Sequence, residues 1–194
     1  MSGTHPALVL IGPMGAGKTS IGRRVAKALQ VPFYDSDIAV IRDHGPIETI
    51  FAEHGEPQFR EWEKDAVLAG LAQGGVVALG GGAVLHEGSR AALADHRVVL
   101  LTVEPRVVAG RVRDSARPLL RGPAAEPGLP SAPTDPMTRW TEILRARRPV
   151  YEAVADVTFD TSHGPLQQVA DAIVAWARDP RTPAPPGQDT PHER

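Results

Sequence analysis

Short apolar runs and longer stretches of mixed polarity alternate along this chain. The runs fall at residues 7–11, 32–35, 76–79, 98–103 and 157–160. They have the length of buried strands and are too short for helices. The stretches between them repeat their apolar positions at helical spacing. In residues 18–29, Ile21, Val25 and Leu29 share one side, and Arg23, Arg24 and Lys27 the other. Similar spacing predicts helices over 46–54, 59–71, 89–94, 106–113, 137–155 and 166–177. The last carries Leu166, Val169, Ile173 and Trp176 on one face, which ordinary core packing explains. Strands alternating with helices predict an α/β fold around a parallel sheet.

Composition changes this picture at two places. The segment "RGPAAEPGLPSAPTDP" (121–136) has almost no large apolar side chain, so it cannot offset its ordering entropy and reads as a mobile surface loop. The stretch 179–194, "DPRTPAPPGQDTPHER", reads as a disordered tail for the same reason. The rest, 1–178, has the size of one domain.

Charge and residue usage exclude several classes. A formal net charge of −2 gives no reason to expect nucleic acid or an acidic membrane as partner. There is no cysteine, which removes disulfides and thiolate catalysis. The start, "MSGTHPALVLIGP", lacks a signal peptide's basic end and apolar core, and no apolar run approaches the roughly 20 residues needed to span a bilayer. A soluble, cytoplasmic protein is expected.

The chemistry begins between the first strand and the first helix. Gly12, Gly15, Gly17, Lys18 and Thr19 match G-x-x-x-x-G-K-[ST], with a strand before and a helix after. Glycines let successive N–H groups turn toward an anion, and the helix start adds its unpaired donors and positive dipole end. Lys18 can reach the β- and γ-phosphates, and Thr19 can offer its hydroxyl to Mg²⁺. Gly12, Met14, Gly15, Ala16, Gly17, Lys18, Thr19 and Ser20 are therefore assigned to ATP.

Other constellations stay ambiguous one by one. In "FYDSD", Asp35 and Asp37 read as alternate positions of a strand end facing one ligand, or as a solvated turn. In "FREWE", Arg60 and Glu63 are helical neighbours, either a surface ion pair or an Arg fork held for a substrate carboxylate. Gly80, Gly81 and Gly82 let backbone N–H groups approach an anion. "RVRDSARPLL" places Arg111, Arg113 and Arg117 where a lid would neutralise phosphate charge, or at a basic helix end. Arg145, Arg147 and Arg148 in "LRARRPVY" would alone read as a basic helix face. The seven histidines show no metal-ligand spacing.

Taken in order, "GPMGAGKTS", "FYDSD", "FREWE", "GGG", "RPLL" and "RRPVY" resemble the shikimate kinase family over roughly residues 6–178. The resemblance implies a nucleoside-monophosphate-kinase-like fold, a three-layer α/β/α P-loop kinase with a five-stranded parallel sheet and a mobile lid, here about 111–136. It implies ATP-dependent transfer to the 3-hydroxyl of shikimate, with ATP and shikimate as partners and Mg²⁺ as cofactor. Lys18 and Thr19 would hold phosphate and metal, with Asp35 supporting the metal through water. Asp37 would bind the ring hydroxyls, as base or as orienting group. Arg60, Arg147, Gly81 and Gly82 would grip the carboxylate and Glu63 would steady Arg60. Phe51, Phe59, Pro118 and Leu119 would wall the ring, and Arg117, with Arg113, would reach the phosphates. Lys18, Asp37 and Arg117 are the expected catalytic set, in a monomer.

Two departures stand out. The interval between "RPLL" and "RRPVY" is long for the family. The segment "DTSHGP" lacks the basic residue often placed beside adenine, leaving His163 or Pro165 to pack there. The rivals are another small-molecule P-loop kinase, such as a gluconate or nucleoside monophosphate kinase, and a non-catalytic nucleotide sensor.

Overall fold

The computed structural model describes residues 6–112 and 135–179. The expected tail from 180 onward and residues 113–134 of the expected lid and loop lie outside the described residues. Five strands form one parallel sheet: β1 (Leu8–Ile11), β2 (Phe33–Asp35), β3 (Val76–Ala78), β4 (Arg97–Thr102) and β5 (Val157–Asp160). Their order is β2-β3-β1-β4-β5, so the strand that carries the glycine loop lies at the centre. Leu10 pairs with Ala78 on one side and Val99 on the other.

Alternation along β1 sends its side chains into two cores. Leu8 and Leu10 pack with Ile21 and Val25 of α1 (Lys18–Leu29) and Ile173 of the C-terminal helix. Val9 and Ile11 pack with Val67, Leu71 and Tyr151 on the opposite face. Helices therefore cover both faces, giving the three-layer α/β/α arrangement. No described helix is long and apolar enough to cross a membrane.

One helix was not legible in the pattern. After β2 the chain turns at once into α2 (Ser36–His44), capped by Asp35, whose Oδ1 accepts the N–H groups of Asp37 and Ile38 at 3.1 and 3.2 Å. Ile38 and Ile41 of α2 are exposed and Ala39 and Val40 are buried, so it lacks a clean apolar stripe. This corrects the reading of Asp35 and Asp37 as alternate strand positions: Asp37 sits in the first turn of a helix.

The expected helices over 46–54 and 59–71 join as α3 (Ile47–Gln73), bent at Gly55, whose φ of 77° is not helical, with Pro57 just beyond. A 3-10 turn (Ala83–Leu85) and α4 (Glu87–Leu93) follow β3, and α5 (Pro105–Val112) follows β4. Next comes α6 (Pro136–Val154), whose cap Asp135 accepts from the N–H groups of Met137 and Thr138. The last helix is α7 (Leu166–Arg178).

Candidate active site

The phosphate loop follows from local backbone rules. Gly12, Gly15 and Gly17 have φ of 132, 83 and 89°. At Gly12 any Cβ would also collide with the carbonyl oxygen of Leu101 on β4, so only glycine fits. Gly17 caps α1 without a side-chain acceptor, which leaves the helix start suited to an anion. Lys18 Nζ donates to the carbonyls of Gly12 and Pro13 at 2.8 and 3.0 Å, so its ammonium lies across the loop. From α6, Trp140 Nε1 donates to the Met14 carbonyl at 3.1 Å and ties the loop to a distant helix. Ala16 is buried beneath the loop and Ser20 is exposed on α1.

Beside the loop, Thr19 Oγ1 donates to Asp35 Oδ2 at 2.7 Å. A hydroxyl and a carboxylate set together at a phosphate loop are hard oxygen donors that fit Mg²⁺, which binds few protein groups and keeps water and phosphate ligands. Among the described residues there is no cluster of three or more metal-ligating side chains.

The glycine triplet after β3 gathers the remaining groups. The Gly80 N–H donates to the buried Ser36 Oγ at 2.9 Å. An added Cβ at Gly80 would collide with Asp37 Oδ1 and lie 2.6 Å from Glu63 Oε1, so Asp37 and Glu63 flank this glycine. At Gly82 it would collide with Arg60 Nη1, and at Gly81 it would lie 3.6 Å from Arg147 Nη1. Two guanidiniums and a glycine backbone thus meet two carboxylates across three residues.

Arg60 is held from two sides. Its Nη1 donates to Glu63 at 2.8 Å, and its Nη2 and Nε to Glu56 Oε1 at 2.9 and 3.3 Å. Its side chain is 14% exposed, so this pair is no solvated surface bridge. Burial pushes the Glu63 carboxyl up, and neighbouring Asp37 adds to it. Arg60 and Arg147 pull it back, leaving it at about 7. Phe59 is buried with Val40 and Ile50, and Phe51 packs on it with ring centres 4.9 Å apart.

Of the "LRARRPVY" arginines, only Arg147 turns inward, 3% exposed, while Arg148 forms an exposed pair with Glu152 at 2.6 Å. Arg113, Arg117, Pro118 and Leu119 lie outside the described residues. The segment "DTSHGP" does have a basic neighbour, contributed by another element: Arg106 Nη2 of α5 lies 3.2 Å from His163 Nε2. Sequence reasoning missed Ser36, Glu56, Trp140 and Tyr151. Glu56 stands four residues before Arg60 and Tyr151 four after Arg147, so helical spacing was the available signal.

A glycine loop at the start of α1, beyond the carboxyl end of the central parallel strand, with a Thr–Asp pair and two guanidiniums gathered on a glycine triplet beside it, defines a phosphate-loop kinase. The family model described as shikimate kinase matches residues 14–178. The chain is 43% identical over 173 residues to the shikimate kinase of Thermobifida fusca, covering 88% of this chain and 94% of that one. A solved structure of shikimate kinase from Acinetobacter baumannii in complex with shikimate matches with a TM-score of 0.78 and 34% identity, over 88% of this chain and 92% of that one. A gluconokinase from Sinorhizobium meliloti, at a TM-score of 0.56 and 21% identity over 90% of this chain and 92% of that one, shares the fold alone. The chain belongs to the shikimate kinase family and is an ATP-dependent kinase.

Proposed function

We propose that this kinase transfers the γ-phosphoryl group of ATP to the 3-hydroxyl of shikimate, giving shikimate 3-phosphate and ADP. The observation that carries the reading is the meeting of Arg60, braced by Glu56 and Glu63, with Arg147 along the glycine triplet, and Asp37 beside them. Such a site takes a small acceptor with a carboxylate at one end and hydroxyls at the other. Fixed guanidiniums suit a planar carboxylate, and Asp37 suits a hydroxyl.

In this reading Arg60, Arg147 and the N–H groups of Gly81 and Gly82 bind the carboxylate, and Phe51 and Phe59 wall the ring. Asp37 accepts the hydrogen of the attacking hydroxyl. The bond between the γ-phosphorus and the β-bridging oxygen breaks as the bond to the hydroxyl oxygen forms, and the hydroxyl proton passes to the Asp37 carboxylate and from it to water. A loose phosphoryl transition state asks more for orientation than for early deprotonation, so Asp37 acts chiefly by aiming the oxygen. The loop and helix-start N–H groups between Met14 and Ser20 hold the phosphates, with Lys18 neutralising charge on the β- and γ-groups. Thr19, with Asp35 acting through water, would hold Mg²⁺, which would supply positive charge to offset that of the phosphates. All the groups named come from one chain, which supports a monomer; the same proposal places the kinase in the cytoplasm with ATP and shikimate as its partners.

The test is ADP release by purified protein with Mg²⁺-ATP and shikimate, gluconate, AMP or CMP as acceptor. Turnover with shikimate alone is expected. Preference for another acceptor would reject the roles of Arg60 and Arg147 while leaving the phosphate loop in place.

A further inference from the structure

Tyr151 is buried on α6 and belongs to a motif whose arginine has a role above but whose tyrosine has none. Its phenol hydroxyl donates to the carbonyl oxygen of Gly81. Four residues earlier on the same helix face stands Arg147, beside Gly81 as well. Helix α6 therefore meets the glycine triplet twice, once with a guanidinium and once with a hydroxyl.

The other carbonyls of the triplet have partners too. Gly80 accepts the Ala83 N–H at 3.2 Å and Gly82 the Leu85 N–H at 2.9 Å, while the Gly80 N–H is taken by Ser36. The N–H groups of Gly81 and Gly82 have no protein acceptor among the described residues. Their direction is thus set by the peptide planes alone. In a trans peptide the N–H of one residue points opposite to the carbonyl of the residue before it, and no cis peptide occurs among the described residues. Between two glycines a plane can turn over with little steric penalty, because neither Cβ opposes it.

We propose that Tyr151 is a positioning residue for acceptor recognition. By holding the Gly81 carbonyl toward α6, it fixes the Gly82 N–H on the opposite side, so that this donor serves the acceptor carboxylate together with Arg60. The inference rests on the carboxylate reading given above and adds the group that orients the backbone donor.

The test is Tyr151→Phe, which keeps the buried ring and removes the hydroxyl. KM for shikimate should rise about tenfold, as loss of a hydrogen bond to a charged group implies, with kcat and KM for ATP within about twofold. With the methyl ester of shikimate, neutral where the carboxylate was, the variant and wild type should perform alike. An unchanged KM for shikimate, or an equal loss with acid and ester, would overturn the inference. A second readout needs no variant: in glycine-labelled wild-type protein the Gly82 amide resonance should move on adding shikimate and stay still with the ester. A still Gly82 resonance under shikimate saturation would also overturn it. If wild type used acid and ester equally well, the carboxylate reading itself would fall, a result distinct from the others.

Discussion

The phosphate loop and the acceptor pocket lie side by side but are built in different ways. The loop is one continuous stretch, residues 12–20, whose shape comes from three positive-φ glycines and the start of α1. The pocket draws Asp37 from α2, Glu56, Arg60 and Glu63 from α3, a glycine triplet after β3 and Arg147 and Tyr151 from α6. The loop binds through backbone that any chain could present, given the glycines. In the reading proposed above, the acceptor site uses side-chain charges, of which Glu63 and Arg147 are buried and Asp37, Glu56 and Arg60 half-buried, so each depends on a neutralising neighbour. A short local motif is therefore enough to specify one, while the other exists only once distant helices have docked.

The contrast is sharpest in Asp37→Asn. We expect kcat to fall about 10³-fold with shikimate, within the range for a lost acid–base or orienting group, while ATP affinity by calorimetry stays near wild type. Loss of ATP binding as well would show that the two regions are not separable. Arg60→Ala should come next, raising KM for shikimate about a hundredfold because it also leaves Glu56 and Glu63 without their shared partner. An unchanged KM would remove Arg60 from the acceptor site.

From the loop's side, Gly12→Ala introduces both a positive φ and a collision with the Leu101 carbonyl. It should lower stability by about 2 kcal/mol or more, read from urea midpoints, and weaken ATP binding. A midpoint matching wild type would mean that the loop relaxes at no cost.

The smallest effect is a pH dependence. Glu63 holds its proton to about pH 7 in the folded chain against an ordinary 4.5, so between these values the folded state binds more protons than the unfolded one. Stability should therefore be full below about pH 4.5 and decline as the pH rises toward 7, relative to Glu63→Gln, which lacks this titration. Parallel pH profiles for the two proteins would place the Glu63 carboxyl back in the ordinary range.

How far the chain could be read without its structure differs in the same way between the two regions. All five strands and the strand–loop–helix unit around Lys18 were visible, because alternation, glycine spacing and helical periodicity are local properties. Helix α2 was not, since a capping aspartate and a helix with two outward isoleucines look like a strand end and a turn. That error put Asp35 and Asp37 on one ligand. In the structure Asp35 caps α2 and accepts from Thr19, whereas Asp37 faces Gly80 and Glu63. For Arg60 and Glu63 the spacing established that they are neighbours, yet not that they are buried, which is what separates a binding fork from a surface bridge.

The sequence by itself determined the parallel α/β sheet, the phosphate cradle, and through the order of its motifs the kinase family. These depend on backbone preferences and periodicities that act within a few residues. Only the tertiary structure decided that the Glu56–Arg60 pair, legible as a helical spacing, is drawn out of solvent, that Arg106 comes to His163, and that Tyr151 reaches Gly81. Two of those contacts join residues 57 and 70 positions apart, where side-chain direction and burial are set by how helices pack on the sheet. The Glu56 contact is near in sequence, but it forms across the start of the second limb of α3, just after the bend at Gly55. No local pattern records which of these groups leave solvent, because that is decided by burying polar groups together as the layers close.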